Sequence, residues 1–196
     1  MFKKFSLIFV LIGCTLAVEL NRANLDELCE CNSAVADTIN LEYKDIDSIN
    51  PNTFQGLTQL EHLYLDHNML TKLEDDTFKG LFRLSVLSLS NNEIHTISEN
   101  IFNGLTSLEW LHLETNHIST FNENALRTNY KLEYLNLDYN RVASFSKKTL
   151  VGLFHLDKVC IYDNPISLYF PNLLDEICVS NDKCLVYYSH PCPYGK

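Results

Sequence analysis

The sequence predicts an α/β solenoid of about six stacked units, capped at both ends. Three observations predict it. Residues 56–79, 80–103, 104–127 and 128–151 are four consecutive units of 24 residues that align without gaps. Within each unit the apolar side chains keep fixed but uneven spacings, which suit neither a continuous helix nor a continuous strand. All seven cysteines lie outside this block. One such unit cannot bury its apolar residues alone, whereas stacked units can.

Residues 1–17 read as a signal peptide. Lys3 and Lys4 make a basic start, and the apolar run from Phe5 to Leu16 is too short to span a bilayer. Thr15 and Ala17 suit a cleavage site, so the mature chain is expected to start near Val18. No later apolar run reaches the length of a membrane span, and the polar end lacks the tail of a lipid-anchor signal. Cleavage leaves 13 basic against 25 acidic residues, a net charge of −12. Such a surface repels nucleic acid, heparin-like chains and anionic membranes, and tolerates basic partners and cations. There is no Asn-x-Ser/Thr acceptor, so N-glycosylation is not expected.

Residues 18–31 form the expected N-terminal cap, with Asn24 capping a short helix that carries Leu25 and Leu28. Repeats are expected over 32–166. The first is degenerate: Ile39, Leu41, Ile46, Ile49 and Phe54 keep the apolar places, but Lys44 stands where later units have Asn. In the next unit the apolar places are Leu60, Leu63, Leu65, Leu70, Leu73 and Phe78. The spacing of Leu63 and Leu65 is that of a strand, and the rest fit turns. Asn68, Asn92, Asn116, Asn140 and Asn164 recur just after each strand. A buried Asn there offers donors and an acceptor to backbone left unpaired by the turn, so a ladder is expected. Phe54, Phe78 and Phe102 recur likewise, with Leu126 and Leu150 after them, and are expected to stack in the core. Leu156, Val159, Ile161, Asn164 and Ile166 are a partial last unit.

LxxLxLxxNxL is met from Leu60 to Leu70, Leu84 to Ile94, Leu108 to Ile118 and Leu132 to Val142. The chain thereby resembles the 24-residue class of secreted, extracellular leucine-rich repeat proteins. The resemblance implies a curved array with a parallel sheet on its concave face, and binding through that face. Residues 167–196 take the place of a cysteine-containing C-terminal cap. They depart from the family's pattern, because no C-x-C follows Asn164-Pro165 and the next cysteine is Cys178. Residues 171–178 suit a short capping helix started by Pro171.

The six cysteines left after cleavage are expected in disulfides. Cys160, Cys178, Cys184 and Cys192 allow three connectivities. Cys29 and Cys31 either close a small ring or pair across chains.

Side chains between the strand leucines point outward and line up in columns, with neighbours about 4.8 Å apart. Column one is Thr38, His62, Val86, Trp110, Tyr134 and Lys158; column two is Asn40, Tyr64, Ser88, His112, Asn136 and Cys160. Column three is Glu42, Asp66, Ser90, Glu114, Asp138 and Tyr162; column four is Tyr43, His67, Asn91, Thr115, Tyr139 and Asp163. The candidate ligand-binding residues are Tyr64, Asp66, Trp110, His112, Glu114, Tyr134, Asp138 and Tyr139. Exposed Trp and Tyr are common anchors. Glu42 beside Asp66, and Glu114 beside Asp138, set like charges on neighbouring strands, which a basic partner or cation would relieve. His62 and His112 lie two strands, about 10 Å, apart. They cannot both reach one ion at about 2 Å. No metal, no cofactor and no catalytic residue is expected, since neither Gly-x-Ser-x-Gly, His-Glu-x-x-His nor a phosphate loop occurs.

The functional expectation is a secreted, non-enzymatic protein that binds an extracellular protein, a basic one being suited by charge, or a glycan. Alternatives are an innate-immunity recognition factor, disulfide-linked through Cys29 or Cys31, a structural extracellular-matrix protein, and a non-catalytic subunit of a secreted enzyme.

Overall fold

The structure, a computed structural model, describes residues 17–169 and 185–192. It is a parallel-sheet solenoid of about six turns. The main sheet has seven strands: β2 (Thr38–Asn40), β4 (His62–Tyr64), β5 (Val86–Ser88), β7 (Trp110–His112), β9 (Tyr134–Asn136), β10 (Lys158–Cys160) and β11 (Leu185–Tyr187). They lie side by side in chain order, all parallel. The 24-residue period sets the register, so Leu63 faces Leu87, Leu87 faces Leu111, and Leu111 faces Leu135. Small parallel pairs lie outside this sheet: β1 (Val18–Leu20) with β3 (Ile46–Ile49), and β6 (Thr96–Ile97) with β8 (Thr120–Phe121).

Helix is scarce. α1 (Leu25–Leu28) and α2 (Pro165–Tyr169) have four and five residues, and Lys147–Leu150 is one 3-10 turn. The uneven apolar spacing explains this, because no segment between strands offers a lengthy face of helical period. Asn24 does sit at the start of α1, but without capping it: its Oδ1 accepts the Asn21 N–H at 2.8 Å. The helix expected over 171–178 falls outside the described residues.

The core is one continuous stack. Phe54, Phe78 and Phe102 are fully buried, and the first two rings stack at 6.0 Å. The asparagines form rungs between turns. Asn116 Nδ2 donates to the Leu89 oxygen at 2.9 Å in the preceding unit and to the Leu113 oxygen at 3.1 Å in its own, and Oδ1 accepts from Ile94 N at 3.0 Å. Asn68, Asn92, Asn140 and Asn164 repeat this pattern. Lys44 cannot act as a rung, but its N–H donates to Asn68 Oδ1 at 3.1 Å.

Before each rung the chain must turn sharply. Tyr43, His67, Asn91, Thr115, Tyr139 and Asp163 all take a left-handed backbone, with φ between 51° and 56°. Non-glycine residues rarely do so. Column four is therefore a row of turn residues, not a strand column.

The unit over 128–151 departs from its neighbours at its start. Where four other units have Gly with φ between 84° and 90° followed by Leu, it has Thr128 and then Asn129. Asn129 is fully buried; its Nδ2 donates to the oxygens of Phe102 and Leu105, but its Oδ1 has no partner. Both carbonyls also accept a backbone N–H, from Leu105 and Leu108. Asn129→Leu should therefore remove an orphaned acceptor and stabilise the array by about 1 kcal/mol. A rise in the urea midpoint checks this, and a fall would show that the side-chain bonds matter more.

Candidate functional site

Three-residue strands leave two columns on the sheet's outer face, with column three just past the strand ends, and the register places Trp110 beside Tyr134 and His112 beside Asn136. Column one and two rings pack together. Trp110, the only tryptophan, stacks on Tyr134 at 5.0 Å, and His112 lies 5.1 Å from Tyr134. Tyr64 is half-buried, with the His62 ring 6.5 Å away, and His62 Nδ1 lies 3.1 Å from Thr38 Oγ1. Tyr139 is exposed on its turn, 5.5 Å edge-on from Tyr162.

Column three differs from expectation. Asp66, Glu114 and Asp138 are buried, not solvated, at 6%, 8% and 3% exposure. Close strand spacing lets neighbouring side chains cover one another, and short partners satisfy two of the three. Asp66 Oδ1 accepts from the hydroxyls of Ser88 and Ser90 and from Ser90 N at 3.0 Å. Asp138 Oδ1 accepts from Tyr162 N at 2.7 Å and Oδ2 from Cys192 N at 2.8 Å. Glu114 is left with His112 Nδ1 at 3.5 Å from Oε1, while Oε2 is buried with no hydrogen-bond partner. Ser88 and Ser90 carry neither charge nor aromatic ring, so nothing in their residue type marks them as partners of a carboxylate.

Tyr134 is also buried, at 6% exposure, where an exposed anchor was expected. The C-terminal tail is the reason. After β11 joins the sheet beside β10, residues 188–192 cross back over its outer face. Cys192 bonds to Cys160, packs with Tyr134, and hydrogen-bonds Asp138. Trp110 and Tyr187 border this cluster. Cys29 and Cys31 are bonded to each other, so neither thiol is left for an interchain bond. Cys178 and Cys184 fall outside the described residues.

Burial pushes the Asp138 carboxyl above the ordinary value of 3.8; the Cys192 and Tyr162 N–H donors oppose this, and the Glu114 charge adds to it. An acid whose pKa is raised by folding favours the folded state when protonated. The wild-type chain should therefore gain stability relative to Asp138→Asn as pH falls through that raised value toward 3.8. Urea melts of both chains across that range test this; a pH-independent difference refutes it.

Among the described residues no group of three or more His, Cys, Asp or Glu side chains is placed to hold a metal ion. A shallow groove of about 850 Å³ runs along the turns instead, lined by Asn91, Thr115, His117, Tyr139, Arg141 and Asp163. Of the candidate residues only Tyr139 reaches it.

The family model described as "Leucine rich repeat" matches residues 37–70 and 66–118. The chain is similar to solved structures of that fold. In an octameric complex of Latrophilin 3, Unc5D and FLRT2 the match has a TM-score of 0.68 at 21% identity, over 79% of this chain and 48% of that one. The leucine-rich repeat domain of APL1 gives 0.66 at 22% identity, over 74% and 36%. TLR13 in complex with ssRNA13 gives 0.63 at 30% identity, over 76% and 21%. The chain thus spans less than half the length of each. No curated protein matches it.

Proposed function

Because the chain is a leucine-rich repeat protein, we propose that it is a secreted, non-enzymatic module that binds an extracellular protein through the outer face of its seven-stranded sheet. The observation that carries this reading is the set of side chains on that face that neither the core nor the rungs use. Thr38, Asn40, His62, Tyr64, Trp110 and His112 are all at least partly exposed there, and rings predominate among them. Partly exposed Trp and Tyr on a rigid sheet contribute binding area at low entropy cost.

The fold alone does not select the ligand class, since solved structures of it include a complex of proteins and one with single-stranded RNA. Charge does select. The whole chain is formally −10, and −12 after loss of Lys3 and Lys4, which opposes a polyphosphate. Two disulfides and the absence, among the described residues, of a helix able to cross a membrane are compatible with secretion. The start of β1 at Val18, with its N–H on the Asp45 oxygen at 3.0 Å, agrees with processing just before it. A covalent partnership through Cys29 or Cys31 loses support from their mutual bond.

The test is affinity capture from the native extracellular fluid, with Tyr64→Ala/Trp110→Ala as control. Tyr134 is unsuitable there, being buried. Each ring should contribute about 1–3 kcal/mol, so the double variant should bind at least tenfold more weakly. Capture of the same protein with undiminished affinity would refute this face.

A further inference from the structure

The three buried acids on the outer face are not equally served. Asp66 has two serine hydroxyls and an amide. Asp138 has two amides, one of them from the crossing tail. Glu114 lies between them in the stack, one strand from Asp138, and makes no side-chain hydrogen bond among the described residues. Its contact with His112 Nδ1 is 3.5 Å, long for a charge-assisted bond. A buried carboxylate oxygen without a donor is destabilising, so its donor is to be sought outside the chain. What surrounds Glu114 narrows the donor's chemistry. Glu114 lies two residues past the end of β7, in line with its outward residues Trp110 and His112, which are stacked at 6.3 Å with only 18° between their rings. A planar face thus leads to a carboxylate. That combination suits a guanidinium, which is flat, stacks on aromatic rings and donates to carboxylates in a fixed fork.

We propose that Glu114, with Trp110 and His112 as its wall, is the seat for one arginine side chain of the protein partner. The inference rests on the reading of the outer face as the binding face, and deepens it. Entry of the guanidinium displaces the long His112 contact and supplies the missing donor. The crossing tail, fixed by the Cys160–Cys192 bond, holds Asp138 out of the competition, so the seat has one carboxylate and takes one cation.

The only tryptophan lies in the seat, so its emission reports occupancy directly. The probes are arginine amide, lysine amide and citrulline amide, titrated at constant ionic strength. Arginine amide should shift the Trp110 emission saturably. Citrulline amide, its neutral isostere, should bind at least tenfold more weakly, and lysine amide several-fold more weakly. Glu114→Gln should abolish the arginine response, whereas Glu42→Gln should leave it intact. Equal responses to arginine and citrulline amides overturn the seat without any variant, so a misfolded Glu114→Gln chain leaves the test decisive. Equal binding of lysine and arginine amides overturns the assignment to arginine. The partner separates the two levels of the argument. If Tyr64→Ala/Trp110→Ala weakens capture but Glu114→Gln does not, the seat falls and the face stands. If arginine amide saturates the seat while capture ignores the double variant, the face falls as the partner's site.

Discussion

Asn116→Ala is expected to lower the stability of the array by about 2–3 kcal/mol, since one buried amide stripped of its partner costs about 1–3 kcal/mol and two buried carbonyls each lose one of two side-chain donors. The amide is that of Ile94, and the carbonyls are those of Leu89 and Leu113, which keep the Asn92 and Asn140 side-chain amides as donors. Asn116 occupies a central rung, so the loss divides the stack between neighbours on both sides. Stability of a solenoid is close to a sum of unit and interface terms. The urea transition should therefore move down and also broaden, as the two halves lose their coupling. A midpoint shift worth under about 1 kcal/mol would mean that water satisfies the turn without the asparagine.

Phe78→Ala is expected to cost about 3–5 kcal/mol, the range for emptying a buried phenylalanine site. The ring is fully buried and stacks on Phe54 at 6.0 Å. The return side has little regular structure to span a void: only paired strands of two to four residues and single turns. The spine is therefore held mainly by side-chain packing there. Phe78→Leu should recover much of the loss, because Leu126 and Leu150 occupy the equivalent place in later units. Thermal melts of the three chains give the order. Phe78→Leu falling as far as Phe78→Ala would count against the spine.

The fold was legible because its determinants repeat. Leu63, Leu65, Asn68 and Phe78 each recur at one period, and a repeated residue declares a structural duty without any knowledge of its neighbours. The ladder and the phenylalanine stack follow from that. The left-handed turn was not legible, since Tyr43, His67, Asn91, Thr115, Tyr139 and Asp163 share a backbone conformation but no side-chain chemistry. The candidate site was legible as a set of columns and not as a surface. Period assigns Asp66 and Asp138 to the outer face, yet their burial depends on Ser88, on Ser90 and on an amide 54 residues away, Cys192. The burial of Tyr134 is hidden from the period for the same reason, because its cover comes from the non-repeating tail.

That cover also gives the outer face of the sheet a direction. A tail laid across β10 and β9 makes the surface a trough with one end wall. An extended segment cannot run the length of the stack and leave at the far side. It must enter over β2 and β4 and stop near β7, or lie crosswise. A partner bound as proposed would be read from one side only, and a segment of fixed length would meet Tyr64 before Trp110. On the proposed face, a polarity of docking that a uniform row of repeats cannot impose would be set by a few residues that do not repeat at all.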